Sequence, residues 1–159
     1  MKFVFSEEAE KKIVKILNKY PEDRKKSALL PLLELAQRQE GYIPPEAMED
    51  IAKRLDLSPA YVQSVSSFYT MFHAKPVGKY VILFCKNISC YLNGSDSLLD
   101  YTAQKLGIQV GETTEDKKFT LLKEECLADC CSAPMMRVND TYHGNLTKEK
   151  IDMILDSMD

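Results

Sequence analysis

The chain has 159 residues, enough for one ordinary hydrophobic core or two small ones. Its formal net charge is −3, with acidic and basic residues interspersed, so it offers no basic face for nucleic acid. No apolar run is long enough to cross a bilayer, and Met1-Lys2-Phe3-Val4-Phe5 meets Ser6-Glu7-Glu8 before a signal-peptide core can form.

The first half reads as helical. Ser6 is placed to cap a helix with the apolar stripe Ala9, Ile13, Ile16, Leu17 and Tyr20, which Pro21 stops. A second helix is predicted from about Arg24 to Glu40, carrying Leu29, Leu30, Leu33, Leu35 and Ala36. Pro31 must kink it or lie in its first turn, and Gly41 ends it. Pro44-Pro45 opens a third helix with Met48, Ile51, Ala52 and Leu55 inward. Ser58-Pro59 opens a fourth with Val62, Val65 and Tyr69 on one side. Residues 51–62 have the rhythm of a DNA-binding helix-turn-helix. No Lys or Arg follows Arg54 until Lys75, however, so phosphate and base contacts lack donors.

After Ala74-Lys75-Pro76-Val77-Gly78 the pattern becomes α/β, which predicts two domains, 1–74 and 75–159. Tyr80 to Phe84 is a continuous apolar run, as in a strand covered on both faces. A helix is expected over about 95–106, with Leu98, Leu99, Thr102 and Leu106 inward and Gly107 as its stop. Phe119 to Leu122 reads as a second strand. Met135–Val138 and Thr141–His143 read as a hairpin about Asn139-Asp140. Thr147 caps a last helix, with Leu146 and Ile151 as its hydrophobic staple and Ile154, Leu155 and Met158 continuing the stripe. The fold class is therefore α+β. A helical bundle precedes a strand–helix–strand–hairpin–helix layer of thioredoxin-like order.

Chemistry concentrates in the cysteines. Cys85 and Cys90 form a C-x4-C pair after the first strand, and Cys126 and Cys130 a C-x3-C pair before Ala133-Pro134. Nothing in the sequence directs export, so these thiols are expected in a reducing cytosol, where structural disulfides are disfavoured. In the expected layer both pairs lie on loops that open at one end of the sheet. Four sulfurs can then meet on one soft metal centre, an iron–sulfur cluster or zinc. Cys131, a fifth thiol, leaves the fourth ligand open by spacing alone. A thiol–disulfide oxidoreductase suits the fold order but lacks a C-x-x-C motif. A Rieske centre needs two histidines, and neither His73 nor His143 lies in a cysteine loop. A Cys–His nucleophile with His143 is weaker still, because that residue reads as solvated near the hairpin turn.

Several segments together resemble one family: Gly41-Tyr42-Ile43-Pro44, Ser67-Phe68-Tyr69-Thr70-Met71-Phe72, Gly78-Lys79-Tyr80, the C-x4-C of Cys85 and Cys90, Glu125-Cys126-Leu127, Ala133-Pro134 and Val138-Asn139-Asp140. The family is the thioredoxin-like [2Fe–2S] subunit of respiratory complex I, the NADH:quinone oxidoreductase. The resemblance implies one [2Fe–2S] cluster on Cys85, Cys90, Cys126 and Cys130, and electron exchange with a flavin- and NADH-binding partner subunit. The chain has no glycine-rich dinucleotide loop of its own. The resemblance also implies a place on the cytoplasmic side of a membrane, peripheral and without insertion, and it leaves room for a homodimer of the isolated chain. Subunits of NAD-linked hydrogenases and formate dehydrogenases resemble it too, and a structural zinc module is the alternative from another class.

Three positions depart from the family pattern: Ala128 where glycine is usual, Asp129 where a small residue is usual, and the extra Cys131. A glycine serving a positive φ would make Ala128 strained, and Asp129 brings a carboxylate towards an anionic centre. Lys86, the amides of 87–89 and a helix N-terminus after Cys90 are expected to favour the reduced state. The stretch Phe68–Phe72 reads first as packing between the two domains and second as a docking surface.

Overall fold

The structure, a computed structural model, describes residues 3–159. The chain divides into two compact units, the first ending at Pro76 and the second spanning Val77–Asp159.

The first unit is helical. Helix α1, Glu7–Leu17, starts where the Ser6 hydroxyl accepts the Ala9 N–H, and Ala9 and Ile13 are buried. The expected second helix is split. Residues Glu22–Ala28 form a 3-10 helix, and α2 runs Leu29–Glu40. Pro31 falls in the first turn of α2, where backbone N–H groups have no partner within the helix and its missing donor costs nothing. Gly41 closes α2 at φ 79°, a conformation that residues with a Cβ resist. Helix α3, Pro45–Leu55, and α4, Pro59–Phe68, each begin on a proline, and the Ser58 hydroxyl caps α4 by accepting the Tyr61 N–H.

Leu29, Leu32, Leu33, Ala36, Ala47, Ile51, Ala52, Leu55, Val62 and Phe72 build the core of this unit with Ile13 and Phe5. Arg54 ties α1 to α3. Its Nη1 and Nη2 donate to the Glu10 carboxylate at 2.9 and 2.6 Å, while its Nε donates to Asp50. The guanidinium holds the Glu10 carboxyl below the usual carboxylate range. Tyr69 differs from expectation. It is the extended residue that ends α4, and it is exposed with Phe68 and Met71, whereas Phe72 turns into the core.

The second unit is a four-stranded mixed sheet in the order β2-β1-β3-β4. Strand β1, Tyr80–Cys85, runs parallel to β2, Phe119–Glu124, and antiparallel to β3, Met136–Val138. Strand β3 pairs in turn with β4, Thr141–His143. Asn139 makes the hairpin turn at φ 50°. The register puts Ile82, Phe84, Phe119, Leu121, Met136 and Val138 on one face. There they pack with Leu99 of α6, Ser95–Leu106, and with Ile151 and Leu155 of α7, Lys148–Asp156. Thr147 caps α7, and both staple residues, Leu146 and Ile151, are buried. Among the described residues, no helix is long and apolar enough to cross a membrane.

Candidate metal centre

Alternation along β1 turns Cys85 to the sheet face opposite Phe84. Its N–H donates to the Met135 carbonyl at 3.2 Å, and its carbonyl accepts the buried Ser95 hydroxyl at 2.6 Å. Cys85 thus ends a strand whose backbone is fixed from both sides. Cys90 is not on a loop, as the sequence suggests. It sits in a short helix, α5, Ile88–Leu92, which starts where the Asn87 side-chain oxygen accepts the Ile88 N–H. Helix N-termini therefore lie both before Cys90, at Ile88, and after it, at Ser95.

Cys85, Cys90, Leu127 and Met135 form a small buried cluster with Ala133 against it. The Cys90 thiol is pushed up to about 11, first by burial and then by its hydrogen bond with Cys85. Nearby Cys130 also raises it, while the Met135 backbone lowers it. The second ligand loop reaches this pair through Cys130. The Ser89 hydroxyl, next to Cys90, donates to the Cys130 carbonyl at 3.4 Å. A second link runs beside the other two cysteines, from Lys86 Nζ to Glu125 Oε1 at 2.6 Å. That ion pair offsets the charge of Lys86, so its pull on an added electron is weaker than the sequence implies.

Cys126, Cys130 and Cys131 are exposed, and Cys130 opens a 3-10 turn, Cys130–Ser132. The Cys126 sulfur accepts the Ala128 N–H at 3.3 Å, and Ala128 holds φ 61° to make that contact. The positive φ is the conformation that glycine adopts without strain. Ala128→Gly is accordingly expected to raise stability by about 1 kcal/mol, read as a higher urea midpoint at unchanged slope. A lower midpoint would show that the alanine methyl packs favourably enough to offset the strain.

His143 ends β4 opposite Met136, on the sheet face away from Cys85. It is half-buried, not solvated, and burial followed by the Lys150 charge lowers its pKa. That placement gives no support to a Cys–His nucleophile.

Among the described residues, no three His, Cys, Asp or Glu side chains already close around a metal ion. The donor set nevertheless fits a thiolate-bound centre. Cys85 and Cys90 share one buried cluster, the Cys130 backbone is tied to Ser89 beside Cys90, and the Cys126 sulfur already accepts a backbone N–H. The model of the thioredoxin-like [2Fe-2S] ferredoxin family matches residues 13–159.

The chain belongs to this family.

Family membership brings an iron–sulfur cofactor with it. The chain is 46% identical over 142 residues to a subunit of the NADH-quinone oxidoreductase of Rickettsia felis, covering 89% of this chain and 85% of that protein. It is 43% identical over 157 residues to the mitochondrial NADH dehydrogenase [ubiquinone] flavoprotein 2 of Dictyostelium discoideum, covering 98% of this chain and 64% of that protein. An NAD+-reducing [NiFe]-hydrogenase in its H2-reduced state superposes with a TM-score of 0.71 at 24% identity, over 81% of this chain and 22% of that one. That likeness is one of fold.

Two features escaped the sequence reading. Helix α5 is signalled only by Asn87 as a cap and by Asn93-Gly94 after its last residue. The links from Ser89 and Lys86 join residues 41 and 39 positions away in the chain, and local patterns carry no trace of such pairs.

Proposed function

We propose that this chain is the electron-transfer subunit of an NADH:quinone oxidoreductase, holding one [2Fe–2S] cluster on Cys85, Cys90, Cys126 and Cys130. In this reading it exchanges electrons with the flavin of an NADH-oxidising partner subunit. The observation that carries it is the buried Cys85–Cys90 contact with Cys130 beside it, in a chain whose curated relatives are named as subunits of such complexes. When bound, the cluster supplies a one-electron couple.

The chain's own part is to hold the four sulfurs and set the field around them. Leu127, Met135 and Ala133 exclude water from Cys85 and Cys90. The Ala128 N–H lowers the negative charge on Cys126. The Lys86–Glu125 and Ser89–Cys130 links keep the two ligand segments together without adding net charge. The purified protein is expected to be coloured, and after dithionite to give a spin-one-half EPR signal at low temperature. A colourless, EPR-silent protein that contains zinc would establish the structural-metal reading instead.

Asp129 is half-buried next to Cys130. Its carboxylate opposes the addition of an electron, so Asp129→Asn should raise the reduction potential. About 40 mV corresponds to roughly 1 kcal/mol of charge interaction for one electron, and a shift on that scale is expected. A potential that is unchanged or lower would mean that solvent screens the carboxylate.

A further inference from the structure

Arg137, in the middle of β3, is half-buried, and its Nε is buried without a hydrogen-bond partner. Among the described residues its guanidinium makes no hydrogen bond or ion pair. Burying a charged donor without an acceptor is costly, and such groups persist where another charge offsets that cost.

The strand register shows which charge can do so. Arg137 stands opposite Leu83, and Cys85 lies two residues further along β1, where its N–H donates to the Met135 carbonyl. Positions two apart share a sheet face, so Arg137 and Cys85 are diagonal neighbours on one face. Such neighbours are about 7–8 Å apart, well within the range of charge interactions in a partly buried setting.

The other charges on the strands are placed elsewhere or already engaged. Lys123 stands opposite Phe84 and His143 opposite Met136, both on the far face. Glu124 shares the face of Cys85, but β1 separates it from Arg137, and its carboxylate accepts the Glu125 N–H at 3.0 Å. Lys86, just beyond β1, is held by Glu125. Arg137 is thus the one cation that the strands place on the face of Cys85. A thiolate-bound [2Fe–2S] centre is anionic, and an added electron makes it more so.

We propose that Arg137 is the fixed cation that balances the charge of the cluster and raises its reduction potential, in opposition to Asp129 on the second ligand loop. The inference rests on the function proposed above and deepens it. A guanidinium stays protonated throughout the working pH range, so its charge is constant while that of the cluster changes. Partial burial limits screening by salt. Arg137 ligates nothing, and its part is electrostatic.

The test is a redox titration of the full chain with its cluster, followed by absorbance and EPR. At the wild-type midpoint potential, Arg137→Gln should show a reduced-to-oxidised ratio at least fivefold below that of wild type. That ratio is a fall of about 40 mV, taking about 59 mV per tenfold for one electron. Arg137→Met, neutral and similar in length, should fall as far. Arg137→Lys, which keeps the charge, should stay within twofold of wild type. Iron content should match wild type in all three variants, which shows that the shift is not loss of the cluster.

Wild-type potentials in both neutral variants would overturn the role of Arg137 and leave the proposed function standing. A fall in Arg137→Lys equal to that in Arg137→Gln would overturn it as well, since packing and not charge would then set the potential. Loss of iron in both neutral variants would overturn it by making Arg137 a residue that builds the site. A wild-type chain that holds zinc and shows no one-electron couple would overturn the proposed function together with this inference.

Discussion

Cys130→Ser is expected to lose the cluster or change its spectrum, while Cys131→Ser keeps full iron content and the wild-type EPR line shape. Spacing alone allows either residue as fourth ligand, since Cys126 to Cys131 would repeat the C-x4-C of Cys85 and Cys90. Cys130 is the proposed ligand, and its carbonyl accepts the hydroxyl of Ser89, the residue before Cys90, which draws this residue towards α5. Both cysteines belong to the 3-10 turn Cys130–Ser132, where successive side chains point about 120° apart. One centre cannot collect both. Iron content and EPR of the two serine variants decide the matter. Loss in Cys131→Ser with retention in Cys130→Ser would show that Ala128 and Asp129 have shifted the loop by one residue.

The sequence was most legible where one local rule governs. Ser6, Ser58 and Thr147 each cap the helix that their position announces. Gly41 and Gly107 stop helices in the left-handed conformation. The apolar run from Tyr80 became the central strand because both faces of β1 are buried there. Legibility failed where two signals compete. Residues 22–28 have helical composition, but they precede Pro31 and tighten into a 3-10 helix before the α-helix starts at Leu29.

At the candidate site the residue types could be read but their settings could not. Cys90 lies in α5, whose five residues are too few to show a period. The positive φ of Ala128 was foreseen only through the family pattern, since an alanine gives no sign of it. The Lys86–Glu125 pair weakens the pull that the sequence leads one to expect of Lys86, because a cation's effect depends on a neighbour 39 positions away.

Gly144→Ala should be strongly damaging, lowering both stability and cluster content. Gly144 follows β4 and lies against Ser132, at the end of the turn that Cys130 opens. A methyl group built there would fall on the Ser132 side chain and 2.8 Å from its carbonyl oxygen. That oxygen is not free to retreat. It accepts the Asn145 N–H at 2.6 Å, and the Pro134 carbonyl accepts the Leu146 N–H at 3.0 Å. The segment 144–146 thus clamps 132–134 against the sheet, and Lys150 Nζ donates to the Gly144 carbonyl to hold the clamp from α7. Overpacking a site fixed by backbone on both sides costs about 1–3 kcal/mol, which for a unit of this size lowers Tm by roughly 5–20 °C. The displacement runs along the chain to Cys130, so iron per chain should fall with Tm. Gly144→Ala with wild-type iron content and a lower Tm would confine the clamp to stability. Wild-type values of both would show that the turn at Ser132 has room to move.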